Sequence, residues 1–372
     1  MIVGLNLLYM LPGIVGGTET YAAGLLHGLS HTDGADRFVV FLNLESAEWP
    51  LPEDPRFRRV VCPVRAVSRT RRYRYEQFRL PAQALADGVD LLHSLGYVAP
   101  LRLGCPSVVT VHDVHHLAHG RLREWPRRLL LAQVVRRSVR RAAAVIADSR
   151  YARDAVARAY DVPAGSIEVV PLAPNPRLSS QRRIPGATPA LPSDHGPYLL
   201  AFGGITPNKN LERLLQAYTV ARNRHGIPQR LVVVGRLPSS VRAQYTAGVV
   251  ATGYLDEPEL ARVLEDADAL VFPSLYEGFG LPVLEAMAVG VPVICSDATA
   301  IPEVAGDAAV YFDPRDTEDM ASKIARVAHD EALRGDMAAR GRVRAAGFSW
   351  ERAARETLAI YRRVLGPATR AA

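Results

Sequence analysis

Short apolar runs alternate with helical stretches along this chain, and they do so twice. In the first half the runs are Ile2–Leu7, Phe38–Leu42, Leu91–His93, Val108–Val111, Val145–Ala147 and Ile167–Val170, and a helical stretch Thr18–Leu29 follows the first of them. In the second half they are Tyr198–Phe202, Leu231–Val234, Leu270–Phe272, Pro292–Cys295 and Val310–Phe312, with a helical stretch Leu211–Arg222. Runs this short, apolar throughout and spaced by helices, read as strands buried on both faces of parallel sheets. The expected fold class is therefore α/β, built from two doubly wound, Rossmann-like parallel sheets. Between them, Pro171 to Pro197 holds seven prolines and little periodicity, which reads as a linker. A length of 372 residues is also long for one core. The expected division is a first domain over 1–175, completed by a crossover helix at 350–366, a linker at 176–197 and a second domain over 198–349. Two such domains facing each other make a central cleft, and clefts between domains are common ligand sites.

Composition narrows the class of function. Apolar residues make up 48% of the chain and charged residues 22%, as in ordinary soluble proteins. Cys62, Cys105 and Cys295 lie far apart and form neither a metal spacing nor a disulfide framework, which points to a reducing cytoplasm. The apolar start Met1–Leu8 lacks a basic leader and a cleavage site, so it reads as a first strand rather than a signal peptide. No apolar run approaches the roughly 20 residues needed to span a bilayer.

The net charge of +7 is uneven. Residues 1–175 carry 22 arginines and no lysine against 16 acidic residues, whereas the rest carries 23 basic and 22 acidic residues. The excess gathers in Arg69-Thr70-Arg71-Arg72-Tyr73-Arg74 and in the helix-like stretch from Arg127 to Arg141. Such segments attract anionic lipid at about 1 kcal/mol per basic residue near the surface. The plain reading is a solvated helix face; the functional one is peripheral contact with an anionic membrane at the cytoplasmic face. No nucleic-acid module accompanies the charge, so nucleic acid is not an expected partner.

The richest chemistry lies between Pro273 and Glu303. The apolar run Ala269–Phe272 ends in a glycine-rich turn, Glu277-Gly278-Phe279-Gly280, and a helix follows with Pro282 near its first position and Gly290 at its stop. Open α/β sheets bind ligands at this end of their strands. The free N–H groups of a helix start favour phosphate. Glu277, before the helix, can reach neutral hydroxyls, and Glu285, in its first turn, can accept from a ribose diol.

A second loop, Phe202-Gly203-Gly204-Ile205-Thr206-Pro207-Asn208-Lys209-Asn210, follows the first strand of the second half. Lys209 and Lys323 are the two lysines of the chain. Among so many arginines, a lysine in a glycine loop suggests a site that wants a compact point charge, such as a diphosphate. Lys323 sits mid-helix among polar residues and reads as surface. A plain strand-to-helix loop would also explain the Lys209 segment; its pairing with the Glu277 turn favours the site.

Two further loops belong to the first half. Gly13-Ile14-Val15-Gly16-Gly17-Thr18-Glu19 resembles a phosphate-binding loop but matches neither the Walker nor the dinucleotide pattern. Thr18 is expected as its N-cap, and backbone approach to a ligand competes with a mere tight turn. Val111 to His119 holds four of the ten histidines. Their spacing permits a metal, but only Asp113 could complete the set, so no metal site is expected. His112 ends a buried strand and should point into the cleft, where a neutral imidazole can bond a sugar hydroxyl. His115, His116 and His119 read as partly exposed residues at a helix start. Asp266 and Asp268 precede their strand, at the wrong end for a site.

With these pieces placed, the chain resembles glycosyltransferase family 4, the retaining enzymes of GT-B fold, over nearly its whole length. The most specific match is Glu277 and Glu285 with seven residues between them, within Ser274-Leu275-Tyr276-Glu277-Gly278-Phe279-Gly280-Leu281-Pro282. Others are Gly16-Gly17, Thr110-Val111-His112-Asp113, Ala147-Asp148-Ser149, Val169-Val170-Pro171, Lys209-Asn210, Gly253-Tyr254-Leu255 and Phe348-Ser349-Trp350. The resemblance implies an acceptor-side first domain and a second domain that binds the donor, a GDP- or UDP-sugar, with no further cofactor.

The resemblance also implies residue roles. Glu277 would bind the donor sugar, Glu285 the ribose, and Lys209 the leaving diphosphate. Backbone around Gly278, Phe279, Gly280 and Leu281 would contact sugar and phosphate, with Gly204, Asn208 and Tyr254 also on the donor side. His112 would hold the sugar near its anomeric carbon, and Gly17 would touch diphosphate or acceptor. Many relatives carry an arginine five residues before the lysine, where this chain has Gly204; Asn208, Thr206 or backbone N–H groups would share the task. Pro207 and Lys209-Asn210 look more like mannosyltransferases. The expected activity is transfer of a hexose to a hydroxyl of a glycan, lipid-linked or small-molecule acceptor, as in polysaccharide biosynthesis, without metal. A sugar-nucleotide epimerase of the same fold and a non-catalytic nucleotide-sugar binding protein are the alternatives.

Overall fold

The computed structural model describes residues 1–114, 125–175, 196–204, 206–237 and 247–366. His115, His116 and His119, most of the linker segment (176–195) and Ile205 lie outside the described residues. The chain forms two compact units, Met1–Leu172 with Ser349–Ala372, and Ala173–Phe348.

The first unit contains strands β1 (Ile2–Asn6), β2 (Arg37–Leu42), β3 (Phe57–Val61), β4 (Leu91–Ser94), β5 (Ser107–Thr110), β6 (Ala144–Ala147) and β7 (Ile167–Val169). Helices α1 (Gly17–Ser30), α2 (Arg69–Phe78), α3 (Leu80–Ala86), α4 (Trp125–Arg141) and α5 (Arg150–Tyr160) run between them. The strands form one sheet in the order β3-β2-β1-β4-β5-β6-β7, every pair parallel. β1 lies in its interior, between β2 and β4, with Ile2 opposite Arg37 and Val3 opposite Leu91. Chain order therefore reverses between β1 and β4, which makes the crevice at their carboxyl ends the ligand position of such a sheet.

The second unit repeats the plan with β8 (Tyr198–Phe202), β9 (Arg230–Val234), β10 (Val249–Gly253), β11 (Ala269–Phe272), β12 (Val293–Ser296) and β13 (Ala309–Phe312). Its helices are α6 (Leu211–His225), α7 (Glu257–Glu265), α8 (Leu281–Val289), α9 (Ile301–Ala305), α10 (Thr317–His329) and α11 (Glu331–Ala345). The sheet order is β10-β9-β8-β11-β12-β13, again parallel throughout, so here the reversal falls between β8 and β11. Leu199, Leu231, Val271 and Ile294 pack beneath α6 and α10, whose Leu214, Tyr218, Met320 and Ile324 are fully buried.

A last helix, α12 (Trp350–Leu365), returns to the first unit. Ser349 caps it by accepting from the Arg352 N–H. It packs on α1 so closely that a Cβ at Gly24 would run into the Trp350 ring, and one at Gly28 into the Trp350 carbonyl. Tyr361 reaches the buried His93 at 2.6 Å, and Arg363 pairs with Glu168 at 2.6 Å.

Two strands, β3 and β10, have no counterpart among the apolar runs read from the sequence. Both are edge strands with no fully buried residue, and β3 carries Arg58 and Arg59. An edge strand is buried on one side at most, so it lacks the continuous apolar signature of its neighbours. The basic segment from Arg69 proves to be part of α2, and it is not a uniformly solvated face. Arg72 and Glu76 turn inward, 3.9 Å apart, and Arg72 stacks on Tyr73. Burial pushes the Glu76 carboxyl up to about 7 against the pull of Arg72. Among the described residues, no helix is long and apolar enough to cross a membrane.

Candidate active site

The site of the second unit grows out of the reversal between β8 and β11. After β8 the chain turns at Gly203, whose N–H donates to the Val234 carbonyl at 2.6 Å, and then makes a single 3₁₀ turn, Pro207–Lys209. After β11 it runs through Pro273 to Gly280, where α8 begins. Gly280 precedes that helix with φ 107°, and among the described residues no side chain caps its start. Leu281 and Pro282 open the helix itself.

These two loops are tied together. The Leu275 N–H donates to the Asn208 carbonyl at 2.8 Å, and the Asn208 amide donates to the Tyr276 carbonyl at 3.2 Å. Asn210 bridges further, donating to the Pro273 and Pro314 carbonyls at 3.1 and 2.7 Å. The result is that Lys209 Nζ lies 2.8 Å from Glu277 Oε1, with both side chains partly open to solvent. The same ammonium stands 5.5 Å from the centre of the Phe272 ring. The Glu277 N–H is held by Thr299 Oγ at 3.1 Å. Phe279 is buried edge-on against Phe348.

Glu285 occupies the fifth position of α8, one residue further in than a start at Pro282 would put it, because the helix starts at Leu281. It is buried, and burial pushes its carboxyl up to about 7. The Asn175 N–H pulls the other way and Glu257 adds to the rise. A carboxylate held so close to neutrality gains from a donor such as a hydroxyl pair.

Of the residues expected on the donor side, Gly204, Asn208, Lys209, Glu277, Gly278, Phe279, Gly280, Leu281 and Glu285 fall on these two loops and the α8 start. Tyr254 does not join them: it follows the edge strand β10 and is 73% exposed. The side chain of Asn208 is spent on the loop tie, and its Oδ1 is buried with no partner among the described residues. Gly204 has a packing reason. A Cβ there would lie 2.8 Å from Lys209 Cγ, so a side chain at 204 displaces the lysine.

Gly17 and His112 belong to the first unit, at the carboxyl ends of β1 and β5. Gly17 opens α1, and Gly16, at φ 58°, stands in the N-cap position. Thr18 is thus the second helical residue rather than the cap, and its hydroxyl donates to the Val15 carbonyl at 3.0 Å. The loop before it already holds an anion, because the Gly13 N–H donates to the Glu19 carboxylate at 2.8 Å. Trp49 Nε1 donates to the other oxygen of Glu19.

His112 departs from the expectation drawn from sequence. It is not left with a free ring nitrogen: Nδ1 lies 2.8 Å from Asp148 Oδ2 and Nε2 lies 3.0 Å from the Leu95 carbonyl. Sequence reasoning noted Asp148 only as part of a motif, and gave no role to Glu19 or Thr299. Among the described residues, no three His, Cys, Asp or Glu side chains gather as a metal set. Asp268 accepts from Gln229 at 2.9 Å at the amino end of β11, away from the two loops.

Comparison with known proteins gives the family and the fold. The family described as Glycosyltransferase Family 4 matches residues 15–176, and the one described as Glycosyl transferases group 1 matches residues 196–330. The chain is 31% identical over 303 residues to O-antigen chain mannosyltransferase B of Escherichia coli, covering 78% of this chain and 79% of that protein. Among solved structures it is similar to sucrose-phosphate synthase of Thermosynechococcus elongatus, with a TM-score of 0.74 at 21% identity over 98% of this chain and 99% of that one. Anabaena HepE, solved in complex with UDP and glucose, matches with a TM-score of 0.71 at 17% identity over 97% and 99%. At these identities the two structures speak for the fold, which is that of GT-B glycosyltransferases.

Proposed function

We infer that this chain, which belongs to glycosyltransferase family 4 and has the GT-B fold, transfers a hexose with retention from a nucleoside-diphosphate sugar to a hydroxyl. The favoured sugar is mannose. The acceptor is a glycan, a lipid-linked glycan or a small molecule. The observation that carries this reading is the Lys209–Glu277 ion pair at 2.8 Å, at the carboxyl ends of β8 and β11 and beside the uncapped start of α8. The mannosyltransferase relative supports the choice of sugar. HepE with UDP and glucose supports a nucleoside diphosphate at this kind of site.

Breaking the bond to the diphosphate builds negative charge on the leaving oxygens and positive charge on the sugar ring. Preorganised donors lower that barrier, and removing one typically costs about 2.7–4 kcal/mol. Lys209 and the α8 N–H groups supply the charge that a divalent ion would otherwise bring, so transfer needs no metal. Glu277 binds and orients the sugar rather than attacking it, and the acceptor proton passes to the departing phosphate. Glu285 accepts from the ribose. Gly17 and His112 serve the same reaction.

The test is nucleoside diphosphate release from GDP- and UDP-sugars, with and without acceptor and with and without chelator. Release that needs the acceptor and ignores the chelator is expected. A converted sugar nucleotide without diphosphate release would instead mark an epimerase, and binding without turnover a clamp. A trapped sugar on Glu277 would overturn its orienting role.

A further inference from the structure

Two histidines, His93 buried and His112 partly so, stand near the carboxyl end of the first sheet, and their partners differ in kind. His93, on β4, lies 2.6 Å from the Tyr361 hydroxyl and 2.8 Å from Thr110 Oγ. Hydroxyls donate or accept as required, so a neutral ring is satisfied there. Burial then holds His93 far below its ordinary range, at about 3, with the neighbouring His112 adding to the fall. Thr110 passes the same neutral chain on to the Tyr21 hydroxyl at 2.9 Å.

His112 has no such freedom. Nε2 faces the Leu95 carbonyl at 3.0 Å, and a carbonyl only accepts. Nδ1 faces Asp148 Oδ2 at 2.8 Å, and an ionised carboxylate also only accepts. Both ring nitrogens must then carry a proton. The other way to satisfy the geometry puts the proton on the carboxyl. Unperturbed, a carboxyl is a weaker base than imidazole by roughly 2.6 pH units.

We infer that Asp148 is a positioning residue that holds His112 as an imidazolium, so that His112 acts through a fixed positive charge and not through a free ring nitrogen. The inference rests on the proposed reading that His112 serves glycosyl transfer. The titratable groups around the ring are Tyr21 on α1, at a ring distance of 4.7 Å, His93 on β4, Asp113 beside it in the chain, and Asp148 after β6. Tyr9, after β1, faces Asp148. Burial works against the charge on His112. Asp148, the Leu95 carbonyl and Asp113 outweigh it, and the pKa is raised.

The direct test needs no substrate. Nitrogen-15 chemical shifts of the histidine rings, with His112 assigned by its loss in His112→Gln, report the protonation of both nitrogens. Both should read as imidazolium in the wild-type protein at pH 7.5, and a neutral His112 there overturns the inference whatever the activity. Asp148→Asn should lower the ring pKa by at least about one pH unit, since it removes the opposite charge. The alkaline fall of kcat should move down in pH by the same amount, with donor KM within about twofold. A purely structural Asp148 would lower activity without moving that limb, and an unmoved limb in a folded variant overturns the positioning role. A charged His112 in a protein that turns over no sugar nucleotide supports the charge assignment and removes the functional reading alone.

Discussion

Lys209 and Glu277, 68 residues apart in the chain, meet at 2.8 Å because β8 and β11 are neighbours in the sheet and their outgoing loops are hydrogen-bonded to each other. The ammonium is therefore already paired before an anion arrives. A diphosphate has to share Lys209 with Glu277 or displace it. Glu277→Gln keeps the shape and removes the competing charge. Nucleoside diphosphate should bind this variant at least as tightly as wild type, by up to about tenfold, or about 1.4 kcal/mol. Turnover should fall at least about tenfold, because the sugar loses its orienting carboxylate. Lys209→Ala should weaken binding and turnover together. Calorimetry with the diphosphate and initial-rate kinetics read the two effects, and weaker binding in Glu277→Gln would remove the competition.

Gly204→Ala probes the packing of that lysine. The added methyl would lie 2.8 Å from Lys209 Cγ, and the lysine side chain is flexible, so the cost falls on its position rather than on the fold. The melting temperature should change little, by less than about 1 kcal/mol in stability terms, as for a substitution whose neighbour can move away. Turnover should fall several-fold. Unchanged kinetics would mean that the observed place of Lys209 is irrelevant to the reaction.

Much of this is readable in the sequence, and the exceptions have physical causes. Central strands such as Tyr198–Phe202 and Ala269–Phe272 are fully or almost fully buried and announce themselves as unbroken apolar runs. The edge strands Phe57–Val61 and Val249–Gly253 do not, because none of their residues is fully buried. Glu277, Glu285 and Lys209 stand out because turn and helix-start signals flank them. Asp148 has no role legible in sequence, because its partner is 36 residues away and only the pairing of β5 with β6 brings it to His112. The Glu277–Lys209 pair itself is likewise a product of strand order, which no local pattern reveals. The α2 arginines look uniform in sequence, yet Arg72 is buried and its neighbours are not.

The return of α12 to the first unit depends on close approach to α1. Gly24→Ala would drive a methyl into the Trp350 ring, which is itself buried. Overpacking of this kind costs about 1–3 kcal/mol or more. In a Trp350→Ala background the same change should cost clearly less, because the obstructing ring is gone. Urea unfolding of the four proteins measures the coupling. Additive effects would show that α1 and α12 do not meet at these residues.

Glu285 should make the free protein less stable as pH rises, and the sign follows from proton counting. Its carboxyl titrates near 7 in the folded chain and near its ordinary 4.5 when unfolded. Between those values the folded state binds more protons than the unfolded one, so stability falls with rising pH and the loss is complete above about 7. The penalty is on the order of 3 kcal/mol, because each pH unit between the folded and unfolded titrations is worth about 1.4 kcal/mol. Glu76 titrates in the same window, so the wild-type profile alone does not isolate Glu285. Glu285→Gln does: it should stabilise the free protein at pH 8, and the gain should vanish toward pH 4. The same variant should show a smaller thermal shift with nucleotide, because an amide accepts less well from a ribose diol than a carboxylate. A gain in stability that is equal at pH 4 and pH 8 would show that Glu285 is not the titrating group. An undiminished nucleotide shift would take it out of the ribose site.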